Sequence, residues 1–237
     1  MPFARSLAAV VSLGLLFHPL PARSADPAEG VVVAHAQVRG QDVPVYRIAE
    51  LQAADTPQGM DGFAIRVAYA LQAWSRRTGV EASGNLCRTP DGARWGTVLV
   101  TVHAHAASPR TNACPAGMQA TGVDIHSHPQ RQRYAVNDTD RLFLGEGLRY
   151  QDQVATRPDT FSPADYAHPG YLVGRLWLHY QERQDQDRRV WSMGKPQPAW
   201  EPLLPRARLV RSACRITPAA PAANGQRSGC RDTGQPL

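Results

Sequence analysis

Past residue 24 the chain has no apolar run long enough to cross a membrane, and no internal repeat. It lacks a Gly-x-Ser-x-Gly elbow, which argues against a serine hydrolase of that type. It also lacks a glycine-rich phosphate loop, which argues against a nucleotide-driven enzyme. Its four cysteines follow no standard zinc spacing. Their even number suits an oxidising compartment and argues against a cysteine nucleophile. The expected disulfides are the pairs closest in sequence, Cys87–Cys114 and Cys214–Cys230. The second would close a loop of 15 residues (215–229), contributing about 3 kcal/mol through chain entropy. The formal charge of +6 is concentrated at the C-terminal end, where residues 201–237 carry six arginines against Glu201 and Asp232. No aromatic residues interleave them, so they read as a solvated tail that favours anionic surfaces, not a nucleic-acid platform.

What is present begins with a secretory signal. Arg5 precedes a largely apolar run over 7–17 and a small-residue exit over 19–25, with cleavage expected after Ala22 or Ser24. The mature protein is therefore expected in the periplasm or medium, with no membrane span. The remaining chain suffices for one ordinary domain. Four segments follow: a signal peptide (1–24), an N-terminal β-hairpin and linker (25–58), a main domain (59–195) and a basic Pro/Ala-rich tail (196–237).

Residues 30–39 and 43–48 read as a hairpin, with Pro44 placing the second strand at an edge. Within 61–77, Phe63, Val67, Leu71 and Trp74 recur at three- and four-residue steps and predict an amphipathic helix. Asp61 is its expected N-cap, Arg76 and Arg77 suit its C-terminal dipole, and Gly79 stops it. Strands are expected over 80–87, 95–103 and 120–126. The stretch 130–160 is weakly patterned, with Leu142-Phe143-Leu144 a short buried piece. Residues 162 onward start a helical turn, 171–180 form a strand, and 189–193 its hairpin partner. This order predicts an α+β fold, a mostly antiparallel sheet with flanking helices.

The chemistry gathers on Asp124-Ile-His-Ser-His-Pro129. Two histidines two positions apart on a strand point to one side, and the proline ends the strand there. Converging neutral imidazoles are the start of a zinc site. Glu81 stands upstream and Ser162-Pro-Ala-Asp165 downstream. Read singly, Ser162 to Asp165 is a helix start, with Ser at N-cap and Asp at N3, and Glu81 is an ordinary carboxylate. The second His-x-His, His103 and His105, has no proline after it and no matched carboxylate motif.

The order Glu, His-x-His-Pro, Ser-x-x-Asp resembles the signature of the JAB/MPN metalloprotease superfamily (the JAMM motif), in its bacterial secreted branch. The resemblance covers about residues 60–180 and implies the sandwich fold shared with cytidine deaminases. It implies one Zn²⁺ per chain held by His126, His128 and Asp165, with Glu81 as acid/base and Ser162 steadying the oxyanion. The implied activity is hydrolysis of a peptide or isopeptide bond, on a peptide, protein or peptidoglycan substrate. Asp124 and His168 are candidates for orienting the ligands. One departure stands out: family members place the serine soon after the second histidine, whereas here 33 residues (129–161) intervene. That insertion reads as a lid over the site, or as a gap that keeps Asp165 from the metal. In the latter case the chain is a non-catalytic binding or scaffold module of the cell envelope.

Overall fold

The apolar stripe of the longest helix decides where the core lies. Phe63, Val67, Leu71 and Trp74 are all essentially inaccessible to solvent. Each contributes about 1.5–3 kcal/mol by leaving water. The structure, a computed structural model, describes residues 32–145, 147–183 and 186–196. The signal segment, the basic tail and the Cys214–Cys230 pair lie outside the described residues.

In chain order the elements are β1 (Val32–Val38), β2 (Gln41–Ala54), α1 (Gly59–Thr78), β3 (Ala82–Arg88), β4 (Arg94–Thr101), β5 (Gln119–Ser127), β6 (Arg133–Ala135), α2 (Asp138–Leu144), β7 (Gln153–Ala155), a 3₁₀ turn (Pro163–Ala167), β8 (Gly170–Val173), β9 (Trp177–Gln181) and β10 (Arg188–Ser192). Eight strands form one sheet in the order β1-β2-β4-β3-β5-β8-β9-β10, and β6 and β7 pair separately. Every pairing is antiparallel except β5 with β8. The fold is α+β, as expected. Helix α1 covers one face of the sheet. On the other face Val43, Val45, Val98, Val100 and Val102 form a second apolar cluster, which Leu142 and Phe143 of α2 help to cover.

Four expectations need correction. Helix α1 starts two residues before Asp61, with Gln58 at its N-cap. Asp61 instead accepts hydrogen bonds from the Tyr171 hydroxyl (2.5 Å) and from Arg188 (2.9 Å), which tie the helix to the far strands. Strand β2 lies inside the sheet, between β1 and β4. Pro44 pairs with His35 of β1, but β4 reaches β2 only from Tyr46 onward, so at Pro44 the strand has a neighbour on one side only. Residues 171–180 are two antiparallel strands, not one. The chain reverses at Gly174, and Leu176 at the turn is exposed. The weakly patterned residues 130–160 hold β6, α2 and β7, and of the expected buried piece Leu142 and Phe143 are half-buried while Leu144 is exposed.

The inserted segment is secured by a capping box at α2. The Asn137 side chain accepts from the Asp140 N–H (2.8 Å), and the Asp140 carboxylate accepts from the Asn137 N–H (3.0 Å). Asp140 is fully buried and also binds His105, through its backbone N–H (2.7 Å) and its Nδ1 (2.6 Å). Tyr134 of β6 stacks on the His105 ring. The second His-x-His is thus a clamp for the insertion, with His105 buried and His103 half-buried against Tyr46 beside it.

Candidate metal centre

Strand register builds the site. β3 runs antiparallel to β5 with Ala82 opposite Ser127, so Glu81 and His128 meet just beyond the paired ends. Strand β5 ends at Ser127, one residue before His128 and two before Pro129. His126 and His128 therefore point the same way, with ring centroids 5.2 Å apart. Ser75 of α1 donates to the His128 carbonyl (3.0 Å), and the His128 N–H donates to the Val173 carbonyl (3.3 Å). The backbone under the second histidine is therefore held from two sides.

The 3₁₀ turn supplies the carboxylate. Ser162 is its N-cap and Pro163 its first residue. The Asp165 carboxylate accepts from the Ser162 N–H (2.6 Å) and faces both imidazoles: Oδ1 is 3.5 Å from His126 Nε2, and Oδ2 is 3.9 Å from His128 Nε2. One donor atom from each of His126, His128 and Asp165 lies within 4.8 Å of the others. Among the described residues this is the only such group of His, Cys, Asp or Glu. The capping geometry fixes the turn that aims the Asp165 carboxylate at the two imidazoles.

Glu81 is buried beside them, its Oε1 3.8 Å from His128 Nε2. Its N–H donates to the Ala104 carbonyl (2.8 Å), and its own carbonyl accepts from the Thr101 hydroxyl (2.7 Å). Desolvation pushes its carboxyl up to about 8, with the Asp165 and Asp140 charges adding to the rise and His126 opposing it. Burial works against the charge on Asp165, but the neighbouring His126 and the Ser162 contacts hold its carboxyl well below the usual range. His128 is pushed down to about 4 by burial and by the His126 charge. Burial alone would also depress His126, yet the carboxylates of Asp124 and Asp165 outweigh it and push that ring up to about 10.

Three observations fit this donor set to a divalent ion. The His128 Nδ1–H donates to the Arg157 carbonyl (2.9 Å), which leaves the Nε2 lone pair facing Asp165. His126 Nε2 is buried without a hydrogen-bond partner inside normal bonding geometry, 3.5 Å from Asp165 Oδ1. The same carboxylates that favour a positive His126 favour a cation in its place. Two nitrogens and one oxygen leave a further coordination position, as catalytic zinc sites do.

Asp124 lies behind His126, Oδ1 to Nδ1 3.9 Å, and is itself held by Arg110 at 2.9 Å. A Cβ at Gly170 would overlap the Asp124 carboxylate, so a larger residue there would displace that carboxylate from behind His126. His168 does not join the cluster. It is exposed after the 3₁₀ turn and lines a smaller neighbouring cavity with Asp124 and Arg110. The Cys87–Cys114 disulfide is formed and ties β3 to the loop carrying Arg110. Its partner loop is fastened further by Ser83 Oγ donating to the Pro109 carbonyl (2.6 Å).

The cluster opens on a cavity of about 640 Å³, lined in part by Glu81, Ser162, Phe161, Phe143, Arg110 and Arg157. That volume is of the size that takes a peptide-like ligand. Phe143 and Arg157 come from the inserted segment, so the insertion forms a wall of the cavity. Neither arginine was singled out by the sequence, because no local pattern links 110 or 157 to the His pair. Comparison with protein-family models, with curated proteins and with solved structures finds no match.

Proposed function

We propose that this chain is an exported zinc-dependent hydrolase of amide bonds, of the JAB/MPN kind. The observation that supports it most is the convergence of His126, His128 and Asp165 donors beside a buried Glu81, with a 33-residue insertion between the second histidine and Ser162. His126 Nε2, His128 Nε2 and an Asp165 oxygen would hold one zinc per chain. A divalent ion so held polarises a carbonyl oxygen and makes water acidic enough to attack near neutral pH. Glu81 receives the proton from the attacking water and returns it to the departing amine nitrogen. The pKa set by its burial suits both halves of that transfer. Ser162 lines the same cavity and donates to the oxygen that gains charge. Asp124 orients His126, and the Arg157 carbonyl orients His128.

The reading assigns 59–195 to the hydrolase domain, 25–58 to a hairpin that extends its sheet, and 1–24 to export. Export makes a peptide, a protein tail or a peptidoglycan crosslink the fitting substrate. No helix among the described residues is long and apolar enough to cross a membrane. The scaffold alternative drew its support from the long gap before Asp165. Convergence of the three donor atoms favours the enzyme instead.

The test is amine release from peptide mixtures and purified sacculi by the zinc-loaded protein, with Glu81→Gln beside it. The variant is expected to keep zinc and lose at least about a hundredfold in rate. Equal rates for wild type and Glu81→Gln would return the chain to the scaffold reading.

A further inference from the structure

We propose that the site selects an amide lying beside a carboxylate, and that Arg157 of the inserted segment receives that carboxylate. The inference rests on the metal-centre reading and adds a substrate class to it. Its basis is which charges around the cavity are already engaged. Glu81 and Asp165 face the histidines, and Asp124 is paired with Arg110 at 2.9 Å. Arg157 is different. Its guanidinium makes no hydrogen bond, ion pair or ring contact with any described residue.

The backbone of Arg157 is nevertheless fixed. Its carbonyl accepts from His128 Nδ1 (2.9 Å) and from the Thr160 N–H (3.3 Å). The residue's backbone is thus held against His128, while its side chain reaches solvent. Arg157 is exposed to solvent at the cavity, whose lining also includes Phe143, Ala155, Phe161 and Pro163. A guanidinium so exposed can meet an anion entering the cavity from solvent. Its planar fork matches a carboxylate with two parallel hydrogen bonds. With a divalent cation held by His126, His128 and Asp165, the two arginines and the ion outweigh the three carboxylates. An anionic substrate is therefore drawn in and a cationic one repelled.

The carboxylate can be the free C-terminus of a short peptide or an acidic side chain next to the scissile amide, and the test separates them. Zinc-loaded protein is titrated calorimetrically with acetyl-Ala-Ala-Ala as free acid, the same peptide as C-terminal amide, and acetyl-Ala-Glu-Ala-amide. Wild type is expected to bind one of the acids about tenfold or more tightly than the neutral peptide, and the tighter acid identifies the source. In Arg157→Gln that acid is expected to fall to the level of the neutral peptide, with part of the preference restored in Arg157→Lys. Equal binding of all three peptides, no binding of any, or a preference that persists in Arg157→Gln would overturn the proposal. The same series on metal-free protein keeps the two readings apart. Absence of zinc binding removes the metal centre, whereas absence of an Arg157-dependent preference removes this inference alone.

Discussion

His103 carries a backbone conformation and a burial that together set an acid limit on the fold. Its φ is 61°, a left-handed value that histidine and asparagine accept better than most residues. The residue is half-buried, its Nδ1 is inaccessible and has no partner, and desolvation pushes it down to about 4. The unfolded chain therefore takes up a proton near pH 6.5 that the folded chain refuses until about 4. Stability from this residue is complete above pH 6.5 and is lost as pH falls toward 4, up to about 3 kcal/mol. His103→Asn keeps the left-handed conformation and removes the titration. Urea denaturation of metal-free protein across pH 7 to 4 is expected to show a shallower acid loss in the variant. Parallel curves for the two proteins would remove His103 as the cause.

The clustered donor residues were legible at this scale because each sits in a short local pattern. His126 and His128 share a strand face, and Ser162 and Asp165 share a capping box that sequence spacing reveals. Asp140, Arg110 and Arg157 were not legible, since their partners lie in other segments. The Asn137-x-x-Asp140 box is the one signal that pointed to α2, and it was hidden in a stretch with weak apolar periodicity.

Among the elements, the inserted β6–α2–β7 segment explains why a long gap does not separate Asp165 from the histidines. It leaves the sheet after Pro129, packs Leu142 and Phe143 on the second apolar cluster, and returns to Ser162. The buried Asp140–His105 pair is its main polar anchor. Asp140→Ala leaves His105 and the Asn137 N–H without their acceptor and is expected to cost about 3 kcal/mol. Hydrogen exchange should rise chiefly over 133–155, and unchanged exchange there would contradict the clamp. The Cys87–Cys114 bridge anchors the opposite wall, 27 residues apart in sequence. Cys87→Ser/Cys114→Ser is expected to lower stability by about 3 kcal/mol and to free the loop that carries Arg110. Chemical denaturation with and without reductant checks this, because reductant should destabilise the wild type by more than the variant, which keeps only Cys214 and Cys230.

The strand errors have a physical cause. Period-two alternation does not mark where a strand reverses, so 171–180 read as one element although Gly174 turns it. Pro44 correctly signalled a missing neighbour, but only for the end of β2 that β4 does not reach.

At the scale of the molecule, the eight-stranded sheet places the candidate centre where β3, β5 and β8 end together, between α1 on one face and the insertion on the other. The α+β class followed from the order of elements, whereas the mixed sheet order and the parallel β5–β8 pair depend on contacts no local pattern encodes. Zinc bound only by the folded chain should raise its stability by about 2.7 kcal/mol when present at a hundred times its Kd. A rise in Tm with zinc is expected in wild type and not in Asp165→Ala. An equal rise in both would place the ion elsewhere.

The central claim is that His126, His128 and Asp165 hold one metal ion. The most direct measurement is the metal content of the purified mature protein after zinc loading and gel filtration, beside His126→Ala/His128→Ala. The account predicts about one zinc per chain in the wild type and none in the double variant. No zinc in the wild type, or equal zinc in both, would contradict it.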